Sequence, residues 1–195
     1  MLTMRTVAGG VVAVLLVAAG CGGDSGGPSV SLRGDGSEAA GDGGVADLVY
    51  GLIEVAGSSI KVRAQTSAAT FHPDCLLIVF NFDTDGSALT GYTTINPGHV
   101  GLGIDCLVEL GKPTPGVRNA RVQRWASGNF TPTATGNVTV IANGYEATLP
   151  LNACPELADG LALFRVEAFR QLSATAYTIR QDWLPDPPGA PLAVR

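Results

Sequence analysis

Charge is scarce in this chain. Asp, Glu, Lys and Arg make up 15% of its 195 residues, and Lys61 and Lys112 are its only lysines. The formal net charge is −5, and no Lys/Arg cluster is present to neutralise phosphates. That argues against a nucleic-acid partner. Histidine is limited to His72 and His99, and the four cysteines include no CxxC pair. Neither histidine stands at ligand spacing from a cysteine, so a zinc site has no support. Aromatics are 6% of the chain, too few for an obvious platform of several rings. No stretch keeps a helical apolar period over a useful length. The apolar run Val7–Ala19 falls short of the roughly 20 residues that a membrane-crossing helix needs.

That run has another use. Met1–Thr6 carries one positive charge, Arg5, and precedes an apolar segment of secretory length. The segment ends in Ala18-Ala19-Gly20-Cys21. Small residues directly before a cysteine resemble the lipobox of bacterial lipoproteins, with Ala18 where that family prefers Leu. The resemblance implies a signal peptide over residues 1–20, cleavage before Cys21, and lipid on the Cys21 thiol and its new amino group. Each buried methylene adds about 0.8 kcal/mol, so several acyl chains hold a protein firmly at a membrane. The expected address is the extracytoplasmic side, at the outer membrane if the cell has one, because Gly22 rather than an Asp follows the cysteine. Ordinary secretion with cleavage after Ala19 or Gly20 is the alternative.

Residues 21–44 are Gly, Ser, Asp and Ala with almost nothing to bury, and read as a flexible tether. Gly23-Asp24-Ser25-Gly26-Gly27-Pro28 matches the serine loop of trypsin-like proteases, but a nucleophilic serine needs a histidine base and a rigid oxyanion pocket. Low-complexity sequence beside a lipid anchor supplies neither. Arg33-Gly34-Asp35 reads as a chance tether tripeptide.

Residues 45–195 read as one domain. About 150 residues suffice for a real core. Ile60, Val62 and Ala64 alternate with Lys61, Arg63 and Gln65, the period of a half-buried strand. Leu76–Phe82 is nearly all apolar, which predicts a central strand covered on both faces. Asp83-Thr84-Asp85-Gly86 breaks it with turn residues. Asp105–Leu110 is a further strand, ended by Gly111 and Pro113. Other strands are expected at Val49–Ala56, Val117–Trp125, Val138–Ala142, Tyr145–Leu149 and Leu161–Phe169, with one helical turn near Leu151–Leu157. Eight or nine short strands without a long helix predict an all-β antiparallel sandwich, immunoglobulin-like or jelly-roll-like.

Once Cys21 carries lipid, Cys75, Cys106 and Cys154 remain. In an oxidising compartment they give one disulfide and one spare thiol. Cys106 lies inside a strand and reads as a small buried apolar residue, which leaves Cys75–Cys154 as the expected pair.

Several motifs line up in order: Asp42, Ala46-Asp47-Leu48, Phe80-Asn81-Phe82-Asp83-Thr84-Asp85-Gly86, Thr90-Gly91, Gly103-Ile104-Asp105-Cys106, Asn143-Gly144-Tyr145-Glu146, Asp159-Gly160 and Asp182-Trp183-Leu184-Pro185-Asp186. The series resembles the DOMON-like β-sandwich domains of bacterial secreted proteins and lipoproteins, relatives of the family 9 carbohydrate-binding modules. It spans almost all of residues 42–191. Cys106 departs from the pattern, since such domains often have an aromatic there. The resemblance implies the sandwich fold and, in related sandwiches, a structural calcium; it carries function poorly.

The acidic residues Asp83, Asp85 and Asp105 are the sharpest site candidates. A hairpin from Phe82 to Cys106 brings Asp105 beside the Asp83-Thr84-Asp85 turn, and calcium takes six to eight hard oxygens. The competing reading is a turn in which Asp83 and Asp85 cap backbone amides. Tyr92, Trp125 and Trp183, with Phe130, are candidates for stacking on a sugar ring, against roles in core or rim. Asp182 and Asp186 either join a site or stiffen the C-terminal strand. His72 and His99 read as surface loop residues without a paired acid. Glu54, Glu109, Glu146 and Glu167 read as strand residues facing solvent or rim. The expected function is a non-catalytic, membrane-anchored binding or accessory module, carbohydrate-binding and calcium-stabilised. A structural or protein-partner-binding envelope protein is the alternative, and a glycoside hydrolase, which needs two carboxyls at a set separation, the distant third.

Overall fold

The computed structural model describes residues 29–33, 47–73, 76–94, 99–114, 117–160, 162–171, 177–184 and 190–194. The expected signal peptide over residues 1–20, Cys21, Asp42, Cys75 and Asp186 lie outside them. Alternation of apolar and polar residues gives strands, and Gly, Pro and Asn end them. In chain order they are β1 (Ser29–Arg33), β2 (Leu48–Ala56), β3 (Ser59–Thr66), β4 (Leu76–Asp83), β5 (Cys106–Thr114), β6 (Val117–Ala126), β7 (Asn129–Asn137), β8 (Thr139–Ile141), β9 (Gly144–Pro150), β10 (Leu163–Gln171), β11 (Tyr177–Leu184) and β12 (Leu192–Ala193). Two short 3-10 turns, Leu151–Ala153 and Pro155–Asp159, stand where the one helical turn is expected.

The strands form two antiparallel sheets, an all-β sandwich. One has the order β1-β2-β3-β9-β8; the other runs β11-β10-β4-β5-β6-β7, with β12 beside β10. Ile53, Val55, Ile60, Val62, Tyr145 and Leu149 of the first sheet meet Ile78, Phe80, Phe82, Val108, Val122, Phe164 and Val166 of the second in one core. Leu76–Phe82 is central as expected: β4 pairs with β10 on one side and β5 on the other.

Twelve strands occur among the described residues, more than eight or nine. β1 is the largest departure. It falls inside the expected tether, where Ser29–Arg33 pairs with Tyr50–Glu54 along the edge of β2. Its two apolar residues, Val30 and Leu32, stand in a Gly-rich stretch, so composition did not reveal it. β7 carries Thr, Pro and Gly, and its side chains are mostly exposed, so it has no alternation to read. β5 continues past Gly111 and Pro113 to Thr114, with a register shift there.

Candidate functional site

The two faces of β4 are both covered. Phe80 and Phe82 point into the main core, while Val79, Asn81 and Asp83, on the other face, are 5%, 2% and 0% exposed. The cover is the connection from β4 to β5. Its Leu102 and Ile104 pack with Val79 and Leu107 into a second apolar cluster, flanked by Tyr92, Phe130, Leu163 and Phe169. A long connection lying on the outer face of the seven-stranded sheet thus creates a second interior.

Asp83, Asp85 and Asp105 meet at the start of this connection. Each offers a carboxylate oxygen, and those atoms lie within 4.8 Å of one another. Asp83 accepts hydrogen bonds from the amides of Ser87 (3.0 Å) and Gly103 (3.2 Å). Asp85 accepts from the Ser87 amide at 2.9 Å and the Thr90 hydroxyl at 2.8 Å. Asp105 accepts from the amide and hydroxyl of Thr84 at 3.0 and 3.1 Å. The turn reading is therefore met: all three carboxylates cap backbone amides or hydroxyls. Burial pushes the Asp83 pKa up against the lowering effect of the Gly103 and Ser87 amides. The Thr90 hydroxyl holds Asp85 below the usual carboxylate range. Oxygens of one calcium shell, each at 2.3–2.6 Å from the ion, are at most about 5 Å apart. The cluster meets that spacing.

Two glycines make the approach possible. At Gly91, φ is +66°, and a Cβ there meets Asp105 Oδ1 at 2.6 Å. A Cβ on Gly103 meets the Thr90 carbonyl oxygen at 2.1 Å and that of Ser87 at 2.4 Å. No side chain fits either place.

The aromatic candidates come together next to this group. Tyr92 pairs with Ile104 through two backbone hydrogen bonds of 2.8 and 3.0 Å. Its ring centroid is 5.0 Å from Trp125 and 5.5 Å from Phe130, and Trp125 and Phe130 are also 5.0 Å apart. All three rings are half-buried. His99 extends the row, 6.3 Å from Tyr92 and 5.1 Å from Trp183. Trp183 is only 8% exposed, so it walls the row rather than presenting an open face.

Two expectations need correction here. Glu167 faces neither solvent nor rim: it is 4% exposed, under the connection. His99 is not a surface histidine without an acid; its Nε2 is 3.5 Å from Glu167 Oε2, and its side chain is 10% exposed. Asn81, Gln123 and Arg165 are buried on the same outer face. Neither ring nitrogen of His99, nor Glu167 Oε2, nor Asn81 Nδ2 makes a hydrogen bond. Nothing in the strand period of β10 distinguishes an outer-face residue left in water from one roofed by a distant connection. His72 is exposed, as expected. Asp182 is structural: its carboxylate accepts the Leu48 amide and ties β11 to β2. Glu146 accepts from Arg63 Nε at 2.7 Å. Burial works against its charge, but Arg63 and Lys61 outweigh that and lower its pKa.

Cys154 is a buried free thiol, as is Cys106; Cys75, the expected partner of Cys154, lies outside the described residues. Among the described residues no helix is long and apolar enough to cross a membrane. No protein family, curated protein or solved structure matches the chain.

Proposed function

We propose that this protein is a non-catalytic binding lipoprotein, anchored through lipid on Cys21, that takes a carbohydrate on the aromatic row at the outer face of its seven-stranded sheet. The observation that carries the reading is the packing of Tyr92, Trp125 and Phe130 into one half-buried group beside the acidic cluster. Aromatic faces suit the apolar C–H side of a pyranose, and polar groups beside them fix its hydroxyls. Edge-to-face contacts hold these rings in place before a ligand arrives, which reduces the ordering cost of binding. Calcium at Asp83, Asp85 and Asp105 is part of the proposal. It neutralises the cluster and stiffens the connection that carries Tyr92 and His99.

The test is retention of the full chain, in mild detergent with calcium, on a panel of immobilised polysaccharides. Retention of wild type on at least one glycan and its loss in Trp125→Ala is the expected result. Absence of retention across a broad panel removes the carbohydrate reading.

A second reading, docking of another envelope protein, draws on Leu89 and Val100, which are 94% and 65% exposed on the same connection. Apolar side chains held in water beside a binding face suit a protein partner.

A further inference from the structure

Cys106 lies in a strand and Cys154 in a turn. Cys106 opens β5 of the seven-stranded sheet, and Cys154 stands between the two 3-10 turns that follow β9 of the five-stranded sheet. Both are free thiols in the main core, 1% and 0% exposed. Both side chains belong to the same packed core cluster; burial first, and the neighbouring Cys154 second, push the Cys106 thiol well above its usual range. Independent contacts fix the approach. Arg124, the cross-strand neighbour of Cys106, forms an ion pair with Glu156, two residues beyond Cys154. Thr133 Oγ1 on β7 donates to the Ala153 carbonyl at 3.0 Å. The ion pair ties the strand beside Cys106 to the turn after Cys154, and the hydrogen bond ties β7 to the residue before Cys154.

We propose that Cys106 and Cys154 are a disulfide-forming pair that links the seven-stranded sheet to the turns that follow β9. An S–S bond forms, each thiol gives up its proton, and two electrons pass to the disulfide of an external thiol–disulfide oxidant, which is released as a dithiol. The exchange belongs to folding, because the thiolate is the attacking species and the closed core suppresses it. The bond closes a loop of about 50 residues that contains Trp125 and Phe130, and it fixes the residue next to Asp105.

The pairing is tested on the full chain in mild detergent, unfolded and refolded in reduced and oxidised glutathione, then alkylated. Digestion before Asp and after Arg places the four cysteines on separate peptides. The expected result is a peptide pair joining Cys106 to Cys154, still formed in Cys75→Ala. Reduction then lowers Tm by about 10 °C, and a Cys106→Ala, Cys154→Ala double variant loses that sensitivity. A link from Cys75 to either residue, or recovery of Cys106 and Cys154 as alkylated thiols, overturns the proposal; the peptide map reads this even if the double variant fails to fold.

Discussion

The backbone amide of Trp125 donates to the carbonyl of Asp105 at 2.7 Å. One residue thus presents its carboxylate to the acidic cluster and its main chain to the strand end that carries the aromatic row. Anything that orders the cluster is felt by Trp125. Calcium added to chelator-treated protein is expected to change tryptophan emission and to raise Tm by about 5–10 °C at a hundredfold excess over Kd. Asp105→Asn removes both responses. An unchanged Tm at millimolar calcium leaves the three aspartates as turn residues only.

The same cluster predicts a pH dependence. The folded-state pKa of Asp83 is raised above its ordinary 3.8 by burial, so its contribution is present below that value and is lost as pH rises through the folded value. Asp85, lowered by the Thr90 hydroxyl, contributes above its ordinary value and loses that contribution as pH falls through the folded one. Calcium competes with the Asp83 proton. The calcium-induced rise in Tm is therefore expected to grow between pH 4 and pH 7. Thermal scans across that range check it, and a rise independent of pH contradicts it.

Gly103→Ala places a methyl group within 2.1 Å of the Thr90 carbonyl oxygen and 2.4 Å of that of Ser87. Backbone must move, and the Gly103 amide that supports Asp83 moves with it. A loss of about 2–3 kcal/mol in denaturant unfolding is expected, together with loss of the calcium response. Gly57 has open space around the same methyl group, but its φ of +56° leaves about 1 kcal/mol of strain. Equal effects at the two positions contradict the close-approach argument.

Glu167→Ala and Glu54→Ala separate a roofed strand residue from an exposed-face one. Glu167 is buried beside His99, and Glu54 is half-buried opposite Lys61. The first substitution is expected to cost about 2 kcal/mol and the second about 0.5 kcal/mol or less. Urea unfolding of both variants measures the difference; matching midpoints mean that the connection does not seal the outer face.

The sandwich was legible because its inward residues alternate. Ile60, Val62 and Ala64 are each fully buried, and the nearly unbroken apolar run of β4 marks a strand covered on both sides. The acidic cluster was legible because turn residues after a central strand, and an aspartate opening the next, must meet when the two strands pair. What covers the outer face was not. Glu167 and His99 are far apart in sequence, and no local period records that Leu102 and Ile104 fold back over β4. β1 stayed hidden for a different reason. It is five residues long, and its sequence, Ser29-Val30-Ser31-Leu32-Arg33, is diluted by glycine on both sides. Cys106 was legible as a buried core residue from its place inside a strand, but no local pattern records that Cys154 joins the same core.

The most direct measurement of the central claim is calorimetric titration of a retained glycan into wild type and Trp125→Ala, both with calcium. Loss of one stacking face is worth about 1–3 kcal/mol, so affinity is expected to fall about fivefold to 150-fold while Tm stays within a few degrees of wild type. Equal affinity in the two proteins would place the ligand elsewhere and end the case for the Tyr92–Trp125–Phe130 face.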